Sequence, residues 1–279
     1  MKLGVRAHDF GRMEPEELAR SIADTGFEAA QLALTKAISG IYAFSDVTIP
    51  MLRRVRRAFD ENRIEISVLG CYVEVGLPDK ELRLREVEKF LLGLEQAKEL
   101  GVTLAGTETT RFSTVPGAER LREEAYQNLK DSVLRMTERA EQLCVDIGIE
   151  TVADHTLNSA ELTRRLLDEV KSSRLRVIFD PVNILLSEND IMNQDKIFRG
   201  FLETAGMDIA AVHIKDIVFE GGVKKWRNIG QGAVRYEPVF RWLRANKPEL
   251  PVLREHIKPE NCSIDYEAMK SLAAIIPDK

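Results

Sequence analysis

Four residues with metal-ligand chemistry close four successive apolar runs. Glu150 ends DIGIE, Asp180 ends LRVIFD, His213 ends IAAVH and Glu255 ends PVLRE. A carboxylate taken out of water needs a compensating partner, because the lost hydration is expensive. Four such groups brought to one point would share a divalent cation. Three carboxylates and one imidazole make a mostly hard, oxygen-rich donor set. It suits Mn²⁺, Mg²⁺ or Co²⁺ better than a structural Zn²⁺ site, and leaves room for substrate oxygens. A single Asp or Glu after a strand is more often a helix cap or an ion-pair member. Recurrence at four consecutive strand ends is what points to a common ion.

The elements that must position these residues alternate along the chain. LGVRA (3–7), FEAAQLAL (27–34), IEISVLG (64–70), VTLAGTE (102–108), DIGIET (146–151), LRVIFD (175–180), IAAVH (209–213) and PVLRE (251–255) read as strands. Between them lie amphipathic stretches. The clearest is 79–101, where Leu84, Val87, Leu91 and Leu94 recur at helical steps, Asp79 stands at the start and Gly101 at the end. Further helices are expected at 14–26, 47–62, 117–143, 159–171, 193–205, 237–246 and 265–276, with loops at 35–50, 109–116 and 217–228. About eight strand–helix units without an internal linker favour an α/β fold of the (β/α)₈ TIM-barrel kind, one domain over 1–279, rather than an open doubly wound sheet. No glycine-rich phosphate loop of the Rossmann or P-loop type opens any of the helices. In a (β/α)₈ barrel the chemistry sits at the C-terminal ends of the strands, where the four candidates fall.

Composition narrows the class further. The 279 residues are 44% hydrophobic and 30% charged, with a net charge of −5. That balance is ordinary for a globular domain and lacks the basic footprint of a nucleic-acid binder. The basic run RRVRRAF (53–59) fits a solvated helix face. Three cysteines, Cys71, Cys144 and Cys262, match neither a disulfide framework nor a zinc motif, and indicate a reducing, cytoplasmic interior. No signal-like apolar region opens the chain and no run is long enough to span a membrane.

Four motifs, GIETVADHT (148–156), VIFDPVN (177–183), AAVHIKD (210–216) and LREH (253–256), carry a resemblance that covers nearly the whole chain in order. LGCYVEV (69–75), AGTET (105–109) and IGQG (229–232) support it. The sequence resembles the xylose-isomerase-like TIM-barrel superfamily, in its sugar phosphate isomerase and epimerase branch, which is related to endonuclease IV. The resemblance implies that Glu150, Asp180, His213 and Glu255 bind one divalent metal, Mn²⁺ before Mg²⁺, Co²⁺ or Zn²⁺. It also implies that Glu150 and Glu255 move a proton α to a substrate carbonyl, through a metal-stabilised enediolate. Returning the proton to the neighbouring carbon isomerises, and returning it to the opposite face epimerises.

Around this centre, His155, Lys215, Glu108, His8, Tyr72, Trp226 and Arg235 are candidates for substrate binding. Tyr72 and Trp226 offer flat walls to a sugar, and Arg235 a charge for an anionic group. Asn183 and Asp216 are candidates for orienting the ligands. A metal-dependent dehydratase of a cyclic polyol ketone or dehydroshikimate begins with the same proton removal and stays open as the alternative. A non-catalytic sugar-binding barrel is disfavoured by the intact ligand set. The nuclease branch needs three zinc ions and many histidines. This chain has four histidines, with Glu108, Asn183, Lys224 and Trp226 where the nuclease pattern has metal ligands. The expected partner is a small sugar or sugar-derived molecule, with no nucleic acid and no membrane. A homo-oligomer is compatible with such a barrel.

Overall fold

The protein is described from a computed structural model covering residues 1–112 and 118–275. Eight parallel strands close into a ring: β1 (Lys2–Arg6), β2 (Ala29–Leu32), β3 (Glu65–Gly70), β4 (Leu104–Glu108), β5 (Asp146–Glu150), β6 (Leu175–Phe179), β7 (Ile209–Ile214) and, after a short hairpin, β10 (Pro251–Arg254), which pairs back onto β1. The hairpin strands are β8 (Asp216–Glu220) and β9 (Val223–Arg227). Helices α1 (Pro15–Ala23), α2 (Leu34–Ala37), α3 (Ile49–Glu61), α4 (Lys80–Leu100), α5 (Arg122–Leu143), α6 (Ala160–Val170), α7 (Glu188–Met192), α8 (Gln194–Ala205), α9 (Glu237–Asn246) and α10 (Cys262–Ala273) connect and surround the strands. This is a single-domain (β/α)₈ barrel.

The strands are apolar throughout because parallel strands in a barrel are covered on both faces. Alternation then sorts their residues. One set faces the helices and joins the large outer core, with Val5, Leu69, Ile147, Phe179 and Val212 among it. The other set faces the barrel axis, where Ala29, Val68, Leu104, Ile178, Ala211 and Leu253 pack together. The axis is too narrow for a side chain at every inward position. A Cβ on Gly106 would come within 2.6 Å of Ile178 Cδ1, so glycine there lets Ile178 fill the middle of the barrel. Removing that filler by Ile178→Ala would cost about 2–5 kcal/mol through lost burial and the cavity left behind.

Two residues beyond this apolar plug, the same alternation turns the inward positions polar. Gly4 is followed inward by Arg6, Ala29 by Gln31, Gly106 by Glu108, Gly148 by Glu150, Ile178 by Asp180, Ala211 by His213 and Lys215, and Leu253 by Glu255. The barrel therefore carries a ring of ionisable groups on top of an apolar floor.

Local signals account for most helix ends. The Asp79 carboxylate accepts a hydrogen bond from the Leu82 amide, and Gly101 ends α4 with φ 73°. The apolar stripe of α4 is rotated slightly from the expected one. Val87, Phe90, Leu94 and Ala97 are buried, whereas Leu84 and Leu91 lie at its edge. The segment 217–228, expected as a loop, is instead largely the β8–β9 hairpin. Helix α5 starts at Arg122, later than expected, and residues 113–117 of the expected 109–116 loop and 117–143 helix lie outside the described residues. The three cysteines are all free, with Cys71 and Cys262 buried and Cys144 exposed. Among the described residues no helix is long and apolar enough to cross a membrane.

Candidate metal centre

The ring of inward polar residues closes on a small acidic centre. Glu150 ends β5, Asp180 follows β6 and His213 lies near the end of β7, all buried. Each offers one ligand atom, and those atoms lie within 4.8 Å of one another. His213 Nδ1 stands 3.2 Å from Glu150 Oε2 and 3.4 Å from Glu255 Oε1. It has no hydrogen bond of acceptable geometry although it is buried. The other ring nitrogen, Nε2, is engaged by Gln31 Oε1 at 2.6 Å. An imidazole fixed through Nε2, with Nδ1 free of a hydrogen bond and aimed between carboxylates, has the arrangement of a metal ligand oriented from outside. The residues present therefore fit a divalent ion: one nitrogen, carboxylate oxygens around it, and a buried polar atom with no other use.

Glu255, the fourth expected ligand, sits at the edge of this group. Its Oε1 faces Arg6 Nη1 at 3.3 Å as well as His213, and its Oε2 accepts from Lys215 Nζ at 2.9 Å. Lys215 Nζ also stands 2.8 Å from Asp180 Oδ2. Burial works against charge on Lys215, but Asp180 and Glu255 hold its ammonium well above the ordinary range. Burial would likewise raise the Glu255 carboxyl. Lys215, His213 and Arg6 overcome this and hold it well below the usual carboxylate value. For His213, desolvation opposes protonation, while Glu255 and Glu150 outweigh it and push the imidazole up to about 9. The negative charge of the centre is thus faced by Lys215 and Arg6.

Other expected residues fall into three groups. Asn183 donates from its side-chain amide to Glu150 Oε1, and Asp180 Oδ1 accepts from the Val182 and Asn183 amides. These contacts orient two of the three clustered ligands. Glu108, partnered in register with Glu150, is pushed up to about 7 by burial and by the Glu150 and Glu255 charges. His155 is buried with Nε2 3.9 Å from Glu108 Oε2 and 3.7 Å from Asp154 Oδ1, and burial lowers its pKa. Both border the centre from the β4 and β5 side. His8 and Tyr72 meet edge to face, with ring centroids 5.8 Å apart, and Tyr72 is linked to the centre through Gln31. Trp226 is 43% exposed on β9 and stacks on His256 at 4.0 Å, with Lys215 Nζ 5.8 Å from its ring centroid. It stands over the mouth as an aromatic wall would.

Two residues lie elsewhere. Arg235 pairs with Asp195 of α8 at 3.2 Å, both half exposed, and the centre includes no contact with it. Asp216 does not touch a ligand. Its carboxylate accepts backbone hydrogen bonds from Ile217, Gly230, Gly232 and Val234, so it shapes the IGQG turn.

Sequence reasoning missed Gln31, Arg6 and Tyr236. Gln31 joins the Tyr72 hydroxyl, 2.9 Å from its Nε2, to His213. Arg6 ties Glu255 to Asp9. The Tyr236 hydroxyl takes the Lys215 amide and donates to the Lys215 carbonyl, holding the strand end that carries His213 and Lys215. The signal for the first two was present: a polar residue near the end of an otherwise apolar strand, in LGVRA and in AAQLA. Nothing local distinguished Tyr236 from a core tyrosine.

Fold and site together define a TIM barrel with a carboxylate–histidine centre at the C-terminal mouth of its strands. The chain belongs to the xylose isomerase-like TIM barrel family, which it matches over residues 19–273. No curated protein matches it. Among solved structures it is similar to the 3-keto-D-glucoside 4-epimerase YcjR from E. coli, at 17% identity and TM-score 0.75 over 99% of this chain and 100% of that one. It is similar to the IolI protein with a bound zinc atom, at 16% identity and TM-score 0.78 over 98% of each chain. It is also similar to the D-psicose 3-epimerase with D-tagatose from Clostridium cellulolyticum H10, at 16% identity and TM-score 0.73 over 98% of this chain and 97% of that one. At such identities the likeness is one of fold.

Proposed function

We propose that the protein is a divalent-metal-dependent sugar or sugar-phosphate isomerase or epimerase, which moves a proton on the carbon α to a carbonyl. The observation that carries this reading is His213 Nδ1: buried, without a hydrogen bond, and facing Glu150 and Glu255 with Asp180 beside them. Glu150, Asp180 and His213 would hold the ion, with Glu255 as the fourth ligand, and Mn²⁺ suits this donor set best. A bound ion supplies Lewis acidity toward a carbonyl and an adjacent hydroxyl oxygen.

The chain's own residues supply the rest. Glu255, paired with Lys215 and Arg6 and facing His213, is one carboxylate of the proposed proton-transfer pair. Glu150 stands across His213 from it, steadied by Asn183, and forms the other half of the proton-transfer pair. His155 and Glu108 border the space where substrate hydroxyls would lie, and Trp226 covers it. Closing off water in this way strengthens the electrostatic interactions within the site.

The test is solvent exchange. Purified protein with added Mn²⁺ is incubated with a panel of ketoses in D₂O. Deuterium entering at a carbon next to the carbonyl, lost on chelation, supports the reading. Release of water with a new ultraviolet absorbance would replace it with a dehydratase. No exchange with any ketose, with or without metal, would refute it.

A further inference from the structure

At the barrel mouth Lys36 has no ion pair among the described residues and no part in the proposed reaction. Lys36 lies on α2, just past the end of β2 and so at the ligand-bearing end of the barrel. Its Nζ sits 3.4 Å from the centroid of the Tyr72 ring. Tyr72 is hydrogen-bonded to Gln31, and Gln31 to His213, so the ammonium stands two side chains away from the metal centre. Arg6 is committed to Asp9 and Glu255, Lys215 to Asp180 and Glu255, and Arg111 to Asp154, while Lys224 donates to the Val182 carbonyl. Among the described residues Lys36 makes no ion pair. The ring covers one side of the ammonium and leaves its remaining N–H donors open.

A second atom beside Tyr72 is also without a partner. His8 packs its ring against the Tyr72 edge, and its buried Nδ1 has no hydrogen bond. Desolvation, then Arg6 and Lys36, push its pKa down to about 3, so the ring is neutral and one of its nitrogens carries a proton to donate. A partly desolvated ammonium and an unsatisfied imidazole nitrogen thus flank one aromatic ring. A neutral hydroxyl would satisfy His8 but leave Lys36 without a direct ion pair. An oxyanion would satisfy both.

We propose that the substrate carries an anionic group, a phosphate or a carboxylate, at the end remote from its carbonyl, and that Lys36 and His8 bind that group. The proposal rests on the reading of the acidic centre as the place that holds the carbonyl. It replaces Arg235, the cation expected from sequence to take an anion, which is half exposed and paired with Asp195.

The metal-loaded full chain is titrated calorimetrically with a pentulose and its 5-phosphate, and with a hexulose and the corresponding hexulosonate. The anionic member of one pair is expected to bind roughly tenfold or more tightly than its neutral partner, the difference a charge-assisted hydrogen bond makes. Which pair shows the preference tells phosphate from carboxylate. Lys36→Gln removes most of the preference and Lys36→Arg retains it. Equal binding of neutral and anionic members, or a preference that survives Lys36→Gln, overturns the proposal. Deuterium exchange by the wild type on both members of each pair reports separately on the reaction. Exchange without anion preference discards Lys36 and keeps the reaction, whereas anion preference without exchange discards the reaction and keeps the site.

Discussion

His213 Nδ1 and Glu150 Oε2 lie 3.2 Å apart inside the barrel, and His213 Nε2 is held from behind by Gln31. One nitrogen is anchored and the other is presented to a carboxylate. The consequences of that geometry can be measured.

Metal binding should release a proton. In the metal-free protein burial opposes charge on His213, yet Glu255 and Glu150 raise its pKa to about 9. A ligating nitrogen must be bare. Below that pKa the ion displaces a proton, so apparent affinity rises with pH, by up to about tenfold per unit for one proton, and levels off above it. Calorimetry of Mn²⁺ binding near neutral pH, in buffers of different ionisation enthalpy, counts the proton. A count of zero would take His213 out of the ligand set.

Glu150→Gln should lower kcat by about a hundredfold or more, because it removes both a ligand and a proton carrier. Asn183 and the strand register still hold the side chain in place, so the melting temperature should shift by only a few degrees at most. Deuterium exchange and a thermal melt together check this. Wild-type exchange rates in the variant would exclude Glu150 from the chemistry.

Gln31→Leu removes the group that orients His213 and the Tyr72 hydroxyl without touching a ligand atom. Loss of such an orienting contact typically weakens metal affinity about 10–100-fold. A competition titration against a fluorescent chelator measures it. An unchanged Kd would mean that the rest of the barrel is enough to hold the imidazole.

Lys215→Met leaves Asp180 and Glu255 buried without their shared ammonium. Breaking a buried pair of this kind costs about 3–5 kcal/mol. Saturating Mn²⁺ should recover a large part of the loss, since the ion supplies positive charge to the same carboxylates. Urea unfolding with and without metal gives both numbers. An equal loss under both conditions would place the ion and these carboxylates apart.

Much of this molecule was legible beforehand. The eight apolar runs, the helix ends at Asp79, Gly101 and Ser159, and the placing of Glu150, Asp180, His213 and Glu255 at strand ends all follow from local pattern. Alternation even put His213 and Lys215 on one face. What local pattern could not supply was distance across the barrel. Lys215 and Glu255 are 40 residues apart, Gln31 and His213 182 apart, and each pair meets only because the ring closes. The β8–β9 hairpin was missed because, beyond the buried Asp216 and Ile217, its apolar and charged residues are partly or fully exposed without the clean alternation that marks a strand.

Sequence alone determined which residues face the barrel axis and at which end they emerge, since side-chain alternation along a strand is a property of the backbone. Tertiary structure alone decided which of them meet. Closure of the ring set Lys215 between two carboxylates, left His213 Nδ1 without a hydrogen bond, turned Asp216 toward a loop and Arg235 toward the outside. The physical reason is that charge pairing and desolvation depend on separations of a few ångströms between strands remote in the chain, and only packing sets those.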